Sequence, residues 1–135
     1  MWQRIFEYKK IGNFLRPIIP VTLKHNKKEL NYVALLDSGA DFNIFHSELA
    51  EVLEIDLTKL PKTSFSGINK GAHGIMQMTV IEIGIEDYIF NAPVYFSPEI
   101  SSDGYGIVGQ QGFFDNFKVL FNLEARKIEL KKSKR

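Results

Sequence analysis

The chain has 135 residues, of which 44% are hydrophobic and 24% charged, a balance typical of one soluble globular domain and too short for two. Its 17 basic and 16 acidic residues leave a net charge of +1, which offers no electrostatic case for binding nucleic acid or an acidic membrane surface. The absence of cysteine excludes disulfides, thiolate metal sites and cysteine nucleophiles.

The N-terminal segment is mixed in character. Residues 1–11 intersperse charged side chains among the apolar ones, so they lack the apolar core of a secretory signal. No stretch approaches the roughly 20 apolar residues of a membrane-spanning helix. We therefore expect a cytoplasmic protein without a membrane partner. Residues 1–16 are predicted to form either a strand or a partly ordered arm.

Short apolar or alternating runs separated by turn residues follow, which predicts a mostly β chain. The predicted strands cover residues 18–23, 30–36, 43–45, 62–66, 75–83, 88–96 (taken as a strand pair), 118–121 and 127–130. Pro17 and Pro20 suggest an edge position for the first strand, because proline cannot donate to a strand ladder. The basic tail, residues 131–135, is predicted to be a solvated end.

One short helix is expected after the third strand. Ser47 is predicted to cap it, with Glu48 and Glu51 near its positive end. Its apolar positions at helical spacing are Leu49, Val52 and Leu53. Residues 112–117 are predicted to form a helical turn.

The most informative motif is Asp37-Ser38-Gly39, directly behind the apolar run 32–36. A buried strand that ends in a small-residue turn places one carboxylate at the edge of the core, and Gly39 admits close backbone approach. Such a carboxylate suits acid–base chemistry. The alternative is that Asp37 is an ordinary turn residue that caps local backbone.

Two glycine-containing segments accompany this motif. Residues 67–74 hold three glycines between two predicted strands, which indicates a projecting hairpin or, alternatively, a loose loop. Residues 105–109 form a second apolar run that ends on Gly109, and its apolar residues are predicted to pack in the core in either case. The three histidines show no spacing typical of metal ligands, and we expect no metal.

The order of these motifs resembles the retropepsin-like (retroviral-type) aspartic peptidase family. The resemblance lies in ALLDSGAD (34–41), the glycine-containing hairpin (67–74) and YGIVGQQGFF (105–114), and it covers about residues 17–130 of a single domain spanning 1–135. Asp37-Ser38-Gly39-Ala40 matches the family motif D-[ST]-G-A. The resemblance implies an all-β fold, a small closed barrel or sandwich of the acid-protease type with one short helix and a flap hairpin.

The resemblance also implies a mechanism and a partner. Two carboxylates in close contact share one proton, so that one activates water while the other donates to the carbonyl oxygen of a peptide. Since this sequence has a single D-S-G, the pair requires a homodimer in which each chain supplies Asp37. The implied substrate is a polypeptide, and no cofactor is implied.

Residue roles follow from the same resemblance. Asp37 is the implied catalytic residue, and the residues implied to support its loop are Ser38, Gly39 and Ala40. The residues implied to bind substrate are Gly39, Asp41, Gly67, Ile68, Gly71, Gly74 and Ile107. The second motif, implied to buttress the catalytic loop, comprises Ile107, Val108 and Gly109.

The sequence departs from viral members at Gln110, where those proteins commonly have an arginine that pairs with an acid near the active site. The segment 109–114 is more similar to cellular and bacterial relatives. Two rivals to an aspartic endopeptidase stay open: a catalytically inactive retropepsin-like dimerisation or peptide-binding module, and a small β-barrel scaffold subunit of a larger complex.

Overall fold

The computed structural model describes residues 1–66, 73–100 and 104–133. This part of the chain is mostly β, with one short α-helix, α1 (Ser47–Val52), and one 3-10 turn (Leu57–Lys59). The strands are β1 (Gln3–Glu7), β2 (Lys9–Ile11), β3 (Phe14–Arg16), β4 (Ile18–His25), β5 (Lys28–Leu36), β6 (Asn43–His46), β7 (Thr63–Ser66), β8 (His73–Ile85), β9 (Tyr88–Ser97), β10 (Gly106–Val108), β11 (Phe117–Asn122) and β12 (Lys127–Lys132).

A seven-stranded sheet forms the body of the molecule. Its strands run in the order β4-β5-β10-β6-β9-β8-β7. The first strand, β4, also pairs with β8 through residues 22–24, and this contact closes the sheet into a barrel. The predicted closed β-barrel with one short helix is therefore confirmed.

Aromatic side chains fill much of the barrel. Phe45, Phe96 and Phe113 are fully buried, together with aliphatic residues that alternate along β4, β8 and β9. Phe117 lies against Phe113, with ring centroids 4.9 Å apart, and so links the barrel to the C-terminal strands. Burial of rings of this size supplies a large hydrophobic contribution per residue.

Several local expectations are wrong in detail. Strand β4 is an edge strand only in its first half, because it pairs with β5 along its whole length but with β8 at residues 22–24 alone. Pro20 lies outside the segment paired with β8, so its missing N–H interrupts no bond there. The helix cap is His46, whose Nδ1 accepts from the Glu48 N–H, and not Ser47. Val52 is exposed rather than part of the apolar face of the helix.

The predicted strand pair at 88–96 is one continuous strand, β9, because its whole length pairs with the long strand β8. Residues 112–116 form consecutive turns rather than the predicted helical turn, since the Phe114 and Asp115 N–H groups bond back five residues to Gly109 and Gln110, and Phe117 begins β11. The predicted C-terminal hairpin is present as β11 and β12.

The N-terminal residues form strands rather than a partly ordered arm. Strand β1 pairs with β12, which pairs on its other side with β11, giving a three-stranded terminal sheet. Strands β2 and β3 pair with each other in a separate two-stranded hairpin. Within the described residues, no helix is long and apolar enough to cross a membrane.

Candidate active site

Asp37 stands at the end of β5, where three segments of chain meet. The Leu36 N–H donates to the Pro17 carbonyl at 2.9 Å, and the Asp37 N–H donates to the Val108 carbonyl at 3.0 Å. The end of β5 thus lies between the start of β4 and the end of β10. It pairs antiparallel with β4 and parallel with β10. The backbone that carries the Asp37 carboxylate is therefore hydrogen-bonded to a neighbouring segment on each side.

Local hydrogen bonds fix the turn that carries the carboxylate. The Gly39 N–H donates to Asp37 Oδ1 at 2.9 Å, and the Ala40 N–H donates to the Asp37 carbonyl at 3.0 Å. Asp37 is half-buried, while Ser38 and Gly39 are exposed. One carboxylate oxygen is held by a charge-assisted bond, in a loop whose neighbouring residues are open to a partner or ligand.

Gly109 is the point where the second motif crosses the loop that carries Asp37. A β-carbon at this position would lie 2.6 Å from the carbonyl oxygens of Ala40 and Phe42, closer than non-bonded atoms allow. The crossing continues with two backbone bonds, from the Gln110 N–H to the Ala40 carbonyl and from the Gln111 N–H to the Asp41 carbonyl, both 2.9 Å. Glycine is required here by close approach of two backbones.

Asn43 completes this crossing, and sequence reasoning gave it no role. Its side chain is fully buried, its Oδ1 accepts from the Gly109 N–H at 3.0 Å, and its Nδ2 donates to the Pro93 carbonyl at 3.2 Å. The Asn43 amide thus supplies the hydrogen-bond acceptor for the buried Gly109 N–H. The available sequence signal for this role was a polar residue, Asn43, at the start of a short strand that is otherwise apolar.

Gln110 braces the same loop from outside. Its Nε2 donates to the Ser38 carbonyl at 2.8 Å. An amide donor of the same chain thus holds the loop that carries Asp37.

The predicted site residues are distributed as follows. Val108 is fully buried, and Ile107 is half-buried in β10 between Leu35 and Ile44. Asp41 is exposed. Gly74 lies in β8 opposite residue 65, at the base of the predicted flap. The remaining predicted flap residues, Gly67, Ile68 and Gly71, lie outside the described residues.

A cavity of about 340 Å³ opens beside the loop; we call it the loop-side cavity. It is lined by Ser38, Gln110, Phe114 and Asp115. Among the residues that the structure describes, no three His, Asp or Glu side chains converge as metal ligands would.

Two solved structures share this fold. A retropepsin-like aspartic protease from Rickettsia conorii has a TM-score of 0.70 at 18% identity, covering 96% of this chain and 99% of that one. EIAV protease, complexed with the inhibitor HBY-793, has a TM-score of 0.50 at 20% identity, covering 75% of this chain and 88% of that one. Neither a protein-family model nor a curated protein matches the sequence.

The chain therefore has the fold of the retropepsin-like aspartic proteases, as the resemblance of its motifs predicted. Within that fold class it is nearer to the bacterial structure than to the viral one, which confirms the expectation raised by segment 109–114.

Proposed function

We propose that this protein is an aspartic endopeptidase that hydrolyses peptide bonds with a pair of Asp37 carboxylates, one from each of two chains. The observation that carries the proposal is the braced loop: Asp37 Oδ1 is held by the Gly39 N–H, and the backbone behind it is tied to Val108. A turn residue that merely caps local backbone does not need a second chain segment crossing behind it at Gly109.

The chemistry requires both carboxylates. With one proton shared between them, the ionised carboxylate removes a proton from water, and the water oxygen attacks the peptide carbonyl carbon. The protonated carboxyl donates its proton to the carbonyl oxygen. Collapse of the tetrahedral intermediate breaks the C–N bond: the carboxyl that took the water proton gives a proton to the departing nitrogen, and the other carboxylate takes a hydroxyl proton of the intermediate, which restores the singly protonated pair. No metal and no covalent intermediate take part.

A homodimer is the arrangement that supplies this pair. The given sequence holds one D-S-G motif, so a second copy is the proposed source of the other carboxylate. The exposed Ser38 and Gly39 allow two such loops to meet at a two-fold axis, where Ser38 would bond across the axis and Gly39 would present its carbonyl to the substrate. An extended peptide would lie between this floor, with Asp41 and Ile107, and the flap carrying Gly67, Ile68, Gly71 and Gly74.

The test is cleavage of a mixed peptide library at several pH values by wild type, Asp37→Asn and Asp87→Asn. Asp37→Asn keeps the size of the side chain but cannot act as a base, so we expect cleavage to fall by about a thousandfold or more. Asp87→Asn removes an exposed carboxylate in the β8–β9 turn and controls for the loss of one charge; its cleavage pattern should match wild type.

Three results separate the rival functions. Loss of cleavage in Asp37→Asn with an unchanged dimer supports the peptidase. Identical peptide profiles for wild type and Asp37→Asn contradict the peptidase function. A dimer that binds peptides but leaves them intact in all three proteins indicates an inactive binding module, and absence of both dimer and peptide binding indicates a scaffold subunit.

A further inference from the structure

Strand β8 changes its partner along its length, and the change falls at Gln77. Residues 73–76 pair with β7, which in the described part of the chain has no other partner. From Gln77 to Ile85 the strand pairs with β9 in the barrel. The paired residues 63–66 and 73–76 therefore extend from the barrel as a two-stranded ladder, which we call the stem.

The other strand of the stem, β7, begins shortly after the 3-10 turn Leu57–Lys59, and residues 60–62 connect the two. The side chains of Leu57 and Leu60 pack against the core. The Asp56 carboxylate caps the turn by accepting from the Thr58 N–H at 3.0 Å. The chain thus enters the stem directly from a turn that belongs to the body of the protein.

One buried side chain connects the two points at which the stem meets the body. Gln77 is 8% exposed, and its Nε2 donates to the Leu57 carbonyl at 2.5 Å and to the Leu60 carbonyl at 3.0 Å. We call these two hydrogen bonds the Gln77 bridge. The bridge joins the residue at which β8 leaves the barrel to the turn that leads into β7.

The position of Gln77 in β8 would suit an apolar side chain. Alternate residues of a strand share a face, and Gln77 therefore lies on the same face as Ile81 and Ile83, which are buried in the core. Burial of an amide is unfavourable unless the amide is hydrogen-bonded. An amide at this position therefore indicates that its two bonds have a role that packing alone does not fill.

The turn is not fully covered by its neighbours. A cavity of about 380 Å³ lies beside it, lined by Leu57, Thr58, Leu60, Lys62 and Gln77. Side chains that border a cavity lose contacts on that side, so contact constrains them less. The Gln77 bridge therefore contributes more to the position of the turn than it would in a close-packed site.

We propose that Gln77 is a positioning residue of the peptidase: the Gln77 bridge fixes the direction of the stem relative to the barrel. The predicted flap, which the stem carries, is thereby held at the distance from Asp37 that an extended peptide requires. The inference rests on the proposed function, since a flap matters only if a peptide binds beneath it. Gln77 acts on the peptide through the stem and not by contact.

Steady-state kinetics on one cleaved peptide test the effect on substrate. Gln77→Met and Gln77→Leu have nearly the volume of glutamine but no hydrogen-bond donor. Both should raise KM by about tenfold, as expected for the loss of one or two hydrogen bonds. Because the stem would contact the peptide before and during the reaction alike, kcat should stay nearly unchanged.

Asn91→Leu is the matched control for the kinetics. It also replaces an amide with an apolar side chain, but Asn91 is exposed and lies in β9 opposite Glu82, within the barrel and away from the stem. Its KM and kcat should equal those of wild type.

Hydrogen exchange of the backbone amides, followed by NMR, tests the Gln77 bridge itself and does not require activity. In both Gln77 variants the amides of the stem should exchange about tenfold faster than in wild type, because opening the base of the stem no longer breaks the bridge. The amides that pair β8 with β9 should keep their wild-type exchange rates. Asn91→Leu should leave both sets unchanged.

Four results would overturn the inference. The Gln77 variants leave exchange in the stem unchanged, they accelerate exchange in the stem and in the β8–β9 ladder by the same factor, they lower kcat at an unchanged KM, or neither of them folds. A wild type that cleaves no peptide contradicts the proposed function instead, and the exchange rates alone then decide whether the Gln77 bridge fixes the stem. The two proposals can therefore fail separately.

Discussion

The loop that carries Asp37 and the N-terminal hairpin of β2 and β3 meet at Pro17, whose carbonyl accepts from the Leu36 N–H, and they are built in opposite ways. The loop is held by backbone bonds to Val108 and Gln110 and by the buried side chain of Asn43. The hairpin has only its own ladder and an exposed aromatic tip. A carboxylate pair needs positions fixed within a fraction of an ångström, and rigid crossings provide that.

The largest expected difference concerns two glycines. Gly109→Ala places a methyl group 2.6 Å from two carbonyl oxygens and should lower the free energy of unfolding by about 3 kcal/mol. Gly12→Ala in the hairpin turn meets no atom within 4 Å, but its φ of +62° disfavours a side chain, so it should cost about 1 kcal/mol. Urea unfolding measures both. Equal losses would mean that the crossing is no tighter than the hairpin turn.

A second pair compares two asparagines. Asn43→Ala leaves the buried Gly109 N–H without its acceptor and should destabilise the protein by about 2 kcal/mol. It should also lower cleavage, because Gly109 supports the loop that carries Asp37. Asn13→Ala, at the exposed hairpin tip, should change stability by less than about 0.5 kcal/mol. A neutral Asn43→Ala would show that the buried amide does not brace the loop.

A smaller effect is expected at Gln110, which contacts the Asp37 loop through the Ser38 carbonyl. Gln110→Ala removes the bond to the Ser38 carbonyl and should lower kcat by up to about tenfold with little change in KM, since one hydrogen bond contributes about 1 kcal/mol. Gln110→Glu replaces the donor with an acceptor and should behave similarly. Gln111→Ala is the exposed control. Steady-state kinetics on one cleaved peptide measure this effect. An unchanged kcat in Gln110→Ala would contradict a role of Gln110 in positioning the Asp37 loop.

The smallest effect is a pH dependence of two contacts made by the N-terminal residues, one with β12 and one with the β8–β9 turn. The hydrogen bond from Lys127 lowers the pKa of Glu7, and the bond from the Trp2 indole, with the Arg4 guanidinium, lowers the pKa of Asp87. A lowered carboxyl pKa stabilises the fold above the ordinary carboxyl range, and this stabilisation is lost as pH falls through the folded-state value. Segment 8–16 has no carboxylate, so its contribution should not change in this range.

Thermal unfolding from pH 7 to pH 3 measures this dependence. A Glu7→Gln and Asp87→Asn double variant should lose less of its melting temperature over that range than wild type does. Because both side chains are exposed, salt should reduce the difference. If the double variant and wild type have the same pH profile, the contacts of Glu7 and Asp87 are not the cause of the pH dependence.

Local pattern was sufficient for much of the fold. The alternation in β4 and β5, the polar turn between them and the apolar spacing of α1 all lie within short windows of sequence, so periodicity predicted those elements. The same holds for the C-terminal hairpin. The loop carrying Asp37 was also predicted, because a small-residue motif behind a buried strand is a local signal.

Other features depend on residues distant in sequence. The edge position expected for β4 holds around Pro20 but not at residues 22–24, because barrel closure brings residues 82–84 against them. The cap of α1 is an imidazole nitrogen, which a preference for serine does not predict. The side-chain bonds of Asn43 and Gln110 join residues 50 to 72 positions apart, and no local pattern encodes such contacts.

The sequence by itself determined the strand content, the single helix, the acidic motif and the resemblance to retropepsin-like proteins, because each depends on neighbouring residues. Only the tertiary structure decided how the barrel closes, which backbone atoms brace Asp37, and which strands remain open to another chain. Those outcomes depend on pairings between distant segments, whose free energies arise only when the segments meet in the folded protein.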